Sequence, residues 1–288
     1  MKLTAILIAA LAALLLASTA YAAFPGRNGA VVYGKWSELV PSDVDPSLHT
    51  FSVEAQTLDG RTRPLADCGP CHEWLSPAVS PDGRTVAFVL GGSLESISID
   101  GTDRRSIPLP AKQLDDPAFS PTGARLAAST DAGISITDLD GGGTRRVVRN
   151  AAHPAWSTRN WIAFVRDHAI YRVRPDGHGS RLLVRNAVLP AWSPDGTRLV
   201  FSRPRHGHGH GVFVADGDGR RVRRLRGAGA GTDVWDLSWS PDGHRLLLSR
   251  DAAGLVAVDL RGTVRRTFRL TGGDIVTPMG ADWQPLPH

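Results

Sequence analysis

Residues 189–202 read LPAWSPDGTRLVFS, and the fold follows from how this passage is built and how often it returns. Leu189-Pro190-Ala191-Trp192 is a short apolar stretch ending in an aromatic that can wedge between neighbouring sheets. Ser193-Pro194-Asp195-Gly196 is turn chemistry: proline presets φ, aspartate tolerates the bridge region and glycine takes positive φ. Thr197 to Ser202 then alternates, as a strand with one face on the core does. One passage therefore predicts two antiparallel strands joined by a tight turn.

The same passage recurs as SPAVSPDGRTVAFV (76–89), DPAFSPTGARLAAS (116–129), HPAWSTRNWIAFV (153–165) and DLSWSPDGHRLLLS (236–249). The turn serines Ser80, Ser120, Ser157, Ser193 and Ser240 are 40, 37, 36 and 47 residues apart, the period of a four-stranded propeller blade. Each passage is followed by a third strand, such as GISITDLD or GVFVADGD, and a basic-apolar fourth, such as RRVVR (145–149) or RRVRRL (220–225). Two units depart from the pattern: Thr122 replaces the turn aspartate, and Ser157-Thr158-Arg159-Asn160 has neither proline nor glycine, leaving Asn160 to take the left-handed conformation. At the ends, ADWQPLP (281–287) reads as a first strand and FPGRNGAVVYG (24–34) as the second strand of the same unit. Trp283-Gln284-Pro285 and Asn28-Gly29 then form the two halves of one split turn. Joining them closes the ring and removes free sheet edges. The expectation is an all-β, six-bladed β-propeller of four-stranded antiparallel blades, closed between N- and C-terminal strands.

On these motifs, which run over residues 24–287, the chain resembles the TolB-like propellers built from WD40-like (PD40) repeats. The resemblance implies a non-enzymatic adaptor that docks a protein partner at one face and at the mouth of the central channel. No counterpart of the amino-terminal domain that accompanies the propeller in TolB itself is expected ahead of the first blade.

Compartment and charge narrow the partners. Lys2, the apolar run Ala5–Ala17 and the small-residue site Ala20-Tyr21-Ala22 read as a secretory signal over residues 1–22, leaving 23–288 as one propeller domain. The apolar run is shorter than the ~20 residues a spanning helix needs, so no transmembrane segment is expected after cleavage. The expected location is secreted or periplasmic. The formal charge of +5 comes almost wholly from arginines spread along the chain, the only lysines being Lys2, Lys35 and Lys112. Spread charge in an exported chain argues against nucleic acid and for solvation. A monomer is expected.

Propeller geometry places the turns between first and second strands, and between third and fourth, on one face. The connections between second and third strands, and between blades, fall on the other, and the irregular sequence gathers there: KWSELVPSDVDPSLH (35–49), Arg166-Asp167-His168, RHGHGHG (205–211) and AGAGTDVWD (228–236). Function concentrates in such loops on a rigid scaffold. Trp156, Trp192, Trp239 and Trp283 hold the repeat position and are core candidates, with Trp161 expected in a strand. Trp36, Trp74 and Trp235 are the candidate binding aromatics. Asp116, His153 and Asp236 each stand just ahead of a first strand. They read either as caps at the start of strands or as polar groups converging on the channel mouth, as a glycan- or peptide-acting enzyme or a ligand-binding propeller would need. His206, His208 and His210 could supply two or three ligands to a divalent metal, although glycine spacers leave them unorganised. No G-x-S-x-G elbow and no calcium-loop spacing is present.

Cys68 and Cys71, the only cysteines, stand in CGPCHEW (68–74) between the fourth strand TRPLA and the first strand of the next blade. The letters fit a redox dithiol, a haem c attachment through Cys68, Cys71 and His72, or a small disulfide. No helix is expected to lower a thiol pKa there, and in an exported chain the disulfide is the favoured reading, with no cofactor required.

Overall fold

The computed structural model describes residues 24–38, 49–70, 76–204, 210–227, 234–250, 254–270 and 276–287, which form twenty-four strands and no helix. They make six antiparallel four-stranded sheets. Blade 1 holds β1 (Arg27–Glu38), β2 (His49–Gln56) and β3 (Thr62–Pro70), and its first strand is the last in the chain, β24 (Val276–Leu286). Blade 2 is β4 (Ala78–Val79), β5 (Thr85–Leu90), β6 (Ser93–Ser98) and β7 (Arg105–Ser106). Blade 3 is β8 (Leu114–Phe119), β9 (Arg125–Thr130), β10 (Gly133–Asp138) and β11 (Arg145–Arg149). Blade 4 is β12 (Ala152–Trp156), β13 (Ile162–Arg166), β14 (Ala169–Val173) and β15 (Arg181–Arg185). Blade 5 is β16 (Val188–Trp192), β17 (Arg198–Pro204), β18 (His210–Asp216) and β19 (Arg223–Arg224). Blade 6 is β20 (Val234–Trp239), β21 (Arg245–Arg250), β22 (Gly254–Asp259) and β23 (Val264–Phe268).

The first strands β4, β8, β12, β16, β20 and β24 each touch the first strands of both neighbouring blades, so these six surround the central channel. The core is divided accordingly into six apolar clusters, one at each blade–blade interface. The repeat aromatic is the wedge. Trp192 packs among blade 4 residues and its indole N–H donates to the Ala155 carbonyl (3.1 Å). Trp239 does the same against blade 5, donating to Ala191 (3.1 Å). Burying so large a ring while satisfying its one polar atom is what lets a tryptophan serve as core.

Turn chemistry explains the opposite end of each blade. Ser240 Oγ donates to Asp242 Oδ1 (2.6 Å), and the amides of His244 and Arg245 close the loop onto Asp242 and Ser240 (both 2.9 Å). Ser80–Asp82 and Ser193–Asp195 repeat it, while Ser120 meets Thr122 at 3.3 Å. Asn160 takes φ 58° where the other turns use glycine, and its side chain accepts the Trp156 indole N–H (3.0 Å). Ring closure is direct: Val31 pairs with Trp283 and Asn28 with Pro285, and Gln284 Oε1 accepts the Ala30 amide (3.1 Å). Gly83 could not be otherwise, since a Cβ there would stand 2.1 Å from the Pro285 carbonyl oxygen.

Four local expectations change. The fourth strand of blade 1 does not stop at Ala66 but runs on through Cys68 to Pro70, because Phe51 and Thr50 of β2 continue to pair with it. The fourth strand of blade 5 shrinks from RRVRRL to Arg223–Arg224. Val234 to Asp236 belong to β20, not to a loop. Trp36, expected in an exposed excursion, lies in β1, paired with Phe51 and Thr277, and is half-buried against the core shared by blades 1 and 2.

Candidate functional site

The channel-mouth face is built by a repeated irregularity in the first strands. In blades 3, 4 and 5 the pairing with the second strand slips between Asp115 and Ala118, Ala152 and Ala155, and Val188 and Ala191. Each bulge contains a proline (Pro117, Pro154, Pro190), which has no N–H to lose from the ladder. Each also holds a non-glycine residue in the left-handed region: Asp116 (φ 52°), His153 (φ 54°) and Leu189 (φ 58°). In blade 6 the slip falls between Val234 and Asp236, leaving Trp235 as the extra residue. Bulges of this kind re-aim a side chain beside a site.

A cavity of about 560 Å³ opens here across blades 3 to 6, walled by apolar side chains interleaved with polar ones. His153, Leu189 and Trp235 line it, with Asn150, Asp167 and His168 at other positions. Asn150, Asp167 and His168 also have positive φ (49°, 48° and 54°). Asp167–His168 form the turn between β13 and β14, where the corresponding turn of blade 2 uses Gly91–Gly92. Two successive positive φ values define the hairpin turn that glycine and asparagine favour. Strain of about 1–3 kcal/mol per such residue persists only where the surrounding structure imposes it, and it gathers at functional sites.

Behind the cavity lining, Asp116 meets His153 across the blade 3–blade 4 boundary. His153 Nδ1 is 2.8 Å from Asp116 Oδ2, a close electrostatic contact whose N–H direction lies off the hydrogen-bond line. Ser129 joins them: its hydroxyl donates to Asp116 Oδ2 (3.2 Å) and accepts the His153 amide (3.0 Å). Asp116 is 2% exposed, and its Oδ1 has no hydrogen-bond partner among the described residues. Arg166 lines the wall, its Nη2 donating to the Arg149 carbonyl (2.8 Å) and its guanidinium lying over Phe164 and Tyr171.

The sequence candidates divide as follows. Asp116 and His153 are brought into contact, and His153, Trp235 and His210 share one cavity. Asp236 is turned to structure: it is 1% exposed and its Oδ2 accepts the Ala281 amide of blade 1 (2.8 Å). Trp36 packs as described above. Trp74, His206, His208 and Cys71 lie outside the described residues, as does the signal segment, and of Cys68 only the backbone is described; the Cys68–Cys71 bridge and the histidine metal set therefore stay expectations. Among the described residues no three His, Cys, Asp or Glu side chains gather as a metal-ligand set, and no helix is long and apolar enough to cross a membrane. Sequence reasoning passed over Ser129, Asn150 and Leu189, although all three stand at repeat positions that could have been compared between blades.

One further carboxylate was not anticipated. Asp282 in β24 is 2% exposed and accepts the amides of Val79 in blade 2 and of Trp283 (both 2.9 Å). Burial pushes it up to about 7, against the two amides that favour its charged form. Asp116, Asp236 and Asp282 thus lace adjacent blades around the channel, and only Asp116 does so through a cavity-lining side chain.

No family model matches the chain, and no curated protein does. Solved structures do. TolB from Acinetobacter baumannii aligns at TM-score 0.72 and 18% identity, covering 89% of this chain and 67% of that one. A chain of a nidogen/laminin complex aligns at 0.68 and 13% identity, covering 89% and 100%. An oligogalacturonate lyase in complex with manganese aligns at 0.53 and 15% identity, covering 76% and 72%. At these identities the likeness is one of fold, and the fold is that of a TolB-like six-bladed β-propeller.

Proposed function

We propose that this protein is an exported, non-enzymatic propeller that binds another envelope or extracellular protein on its channel-mouth face. The observation that carries the reading is the gathering of strained residues that are neither glycine nor asparagine (His153, Asp167, His168, Leu189) around one cavity on that face. A fold-only role would leave those positions to glycine and asparagine. Trp235 on the same wall supplies the kind of aromatic that anchors an interface, and the likeness to TolB supports an adaptor role by analogy.

The test is affinity capture from the native envelope with the mature protein, compared with Trp235→Ala, His168→Ala and His244→Ala. His244 is exposed on the turn face. The reading expects a partner that is lost with the first two substitutions and kept with the third. A partner equally sensitive to His244→Ala would move the interface to the other face and sink it.

A further inference from the structure

We propose that the mouth cavity is a saccharide-binding site in which Trp235 stacks on a sugar ring and His153 accepts a hydroxyl. The inference goes beyond docking of a protein, whose interface would cover about 800 Å² of this face, and needs only the cavity itself.

Three observations converge on it. The first is orientation. With Nδ1 of His153 set against the Asp116 carboxylate, Nε2 is the nitrogen left to the cavity, and it has neither a protein partner nor enclosure among the described residues. The carboxylate faces Nδ1, so Nε2 is the ring nitrogen placed to meet a ligand hydroxyl. Asp116 is thus a positioning residue, buried and reaching the ligand only through His153. The second is aim. His153 and Trp235 are both bulged residues of first strands, in blades 4 and 6, and both line the same hollow. The third is the balance of polar groups. Asn150, Asp167 and His168 offer planar donors and acceptors at the rim. Pyranose rings present an apolar C–H face to an aromatic and hydroxyls that both donate and accept, so they need this mixture in a cavity otherwise apolar.

Charge decides the class of saccharide. Among the described residues Arg166 is the only arginine on the wall, and it already donates to Arg149; Asp131 and Asp167 oppose it on the same lining. A polyanion would meet two carboxylates, and a cation would meet the guanidinium. A neutral, hydroxyl-rich ligand meets neither penalty.

The experiment titrates the purified mature protein by calorimetry with short cello-, chito-, malto- and xylo-oligosaccharides, and with digalacturonate as the acidic arm. The expected result is binding of at least one neutral series. Trp235→Ala should weaken it by about tenfold or more, the loss of one aromatic contact, while Trp235→Phe restores most of it. His153→Asn, which keeps a residue tolerant of positive φ, should weaken binding while leaving the melting temperature near that of the parent; His244→Ala should change nothing. Binding of digalacturonate alone would overturn the proposal in favour of an anion site. So would no binding by a protein shown to be folded, or binding indifferent to both Trp235 and His153. The two readings fail separately: a captured partner without sugar binding leaves protein docking standing, and sugar binding without a partner leaves only this site.

Discussion

The two faces of the ring each carry a hollow, and the larger one is the less interesting. On the turn face a hollow of about 910 Å³ lies where blades 5, 6 and 1 meet, against about 560 Å³ at the channel mouth. Its polar groups are engaged with one another. Asn28 Nδ2 donates to Asp242 Oδ2 (2.7 Å), Asp195 accepts from Ser193 and Thr197, and Arg198 stacks on Trp239 at 4.8 Å. Left-handed positions beside it are Gly196 and Gly243, although elsewhere on the turn face Asp103, Asn160 and Arg221 also take positive φ. At the mouth, the same backbone conformation is carried by histidine, aspartate, asparagine and leucine, and a buried carboxylate keeps one oxygen without a partner among the described residues. Size does not identify a site; polar capacity held unspent by a strained backbone does.

This contrast can be broken at several points. The largest effect belongs to the scaffold. Trp239→Ala removes a fully buried wedge and its bond to Ala191, and should cost about 3–5 kcal/mol in denaturant unfolding. A loss below about 1 kcal/mol, the range of surface sites, would mean the repeat aromatics do not hold the blades together.

Next come two carboxylates with opposite pH behaviour. Folded Asp282 titrates near 7 against 3.8 when free, so between those values the folded state holds the extra proton. Stability therefore falls as pH rises through that window, by at most roughly 1.4 kcal/mol per pH unit. Asp282→Asn should flatten that slope in pH-resolved unfolding; an unchanged slope would place the titration elsewhere. Asp242 behaves in reverse. Although burial opposes it, the Ser240 hydroxyl, the His244 amide and Asn28 hold it below the ordinary carboxylate range. Its contribution is present above that range and lost on acidification. Asp242→Ala should cost about 1–2 kcal/mol at neutral pH, less at low pH, since the turn and the tie to Asn28 go together.

The smallest effect has the opposite sign. Replacing Asp167 by Asn and His168 by Gly gives the β13–β14 turn the residues its geometry prefers, and should stabilise the protein by up to about 1 kcal/mol. A destabilised double variant would show that these residues serve the fold and weaken the distinction between the faces.

The ring was legible because each blade repeats its own turn chemistry, and one tight turn fixes the register of the strands on either side. Closure was legible because Trp283-Gln284-Pro285 and Asn28-Gly29 are recognisable halves of that turn. The division into faces followed from the same turns. The site was legible only as a set of names. Asp116 and His153 occupy the same place in successive repeats, 37 residues apart, so their neighbourhood was implicit in the spacing. Their contact, however, depends on two bulges, and Pro117 and Pro154 signal an interruption without giving its direction. Asp236 shows the other side: in letters it matches Asp116, yet it accepts the Ala281 amide of blade 1, whereas the equivalent residue of blade 4 facing Asp116 is Pro154, which has no N–H to give. Asp282 was invisible for a related reason, since its partner amide belongs to the far end of the chain's fold, 203 residues away.

The central claim is that the channel-mouth face, not the turn face, meets the partner. Site-specific photocrosslinking tests it directly, with a benzophenone side chain placed at His168 or at His244 in protein expressed in its native envelope. A discrete adduct from position 168 and none from position 244 is the predicted result. Adducts from 244 in place of 168, or none from either, would contradict it.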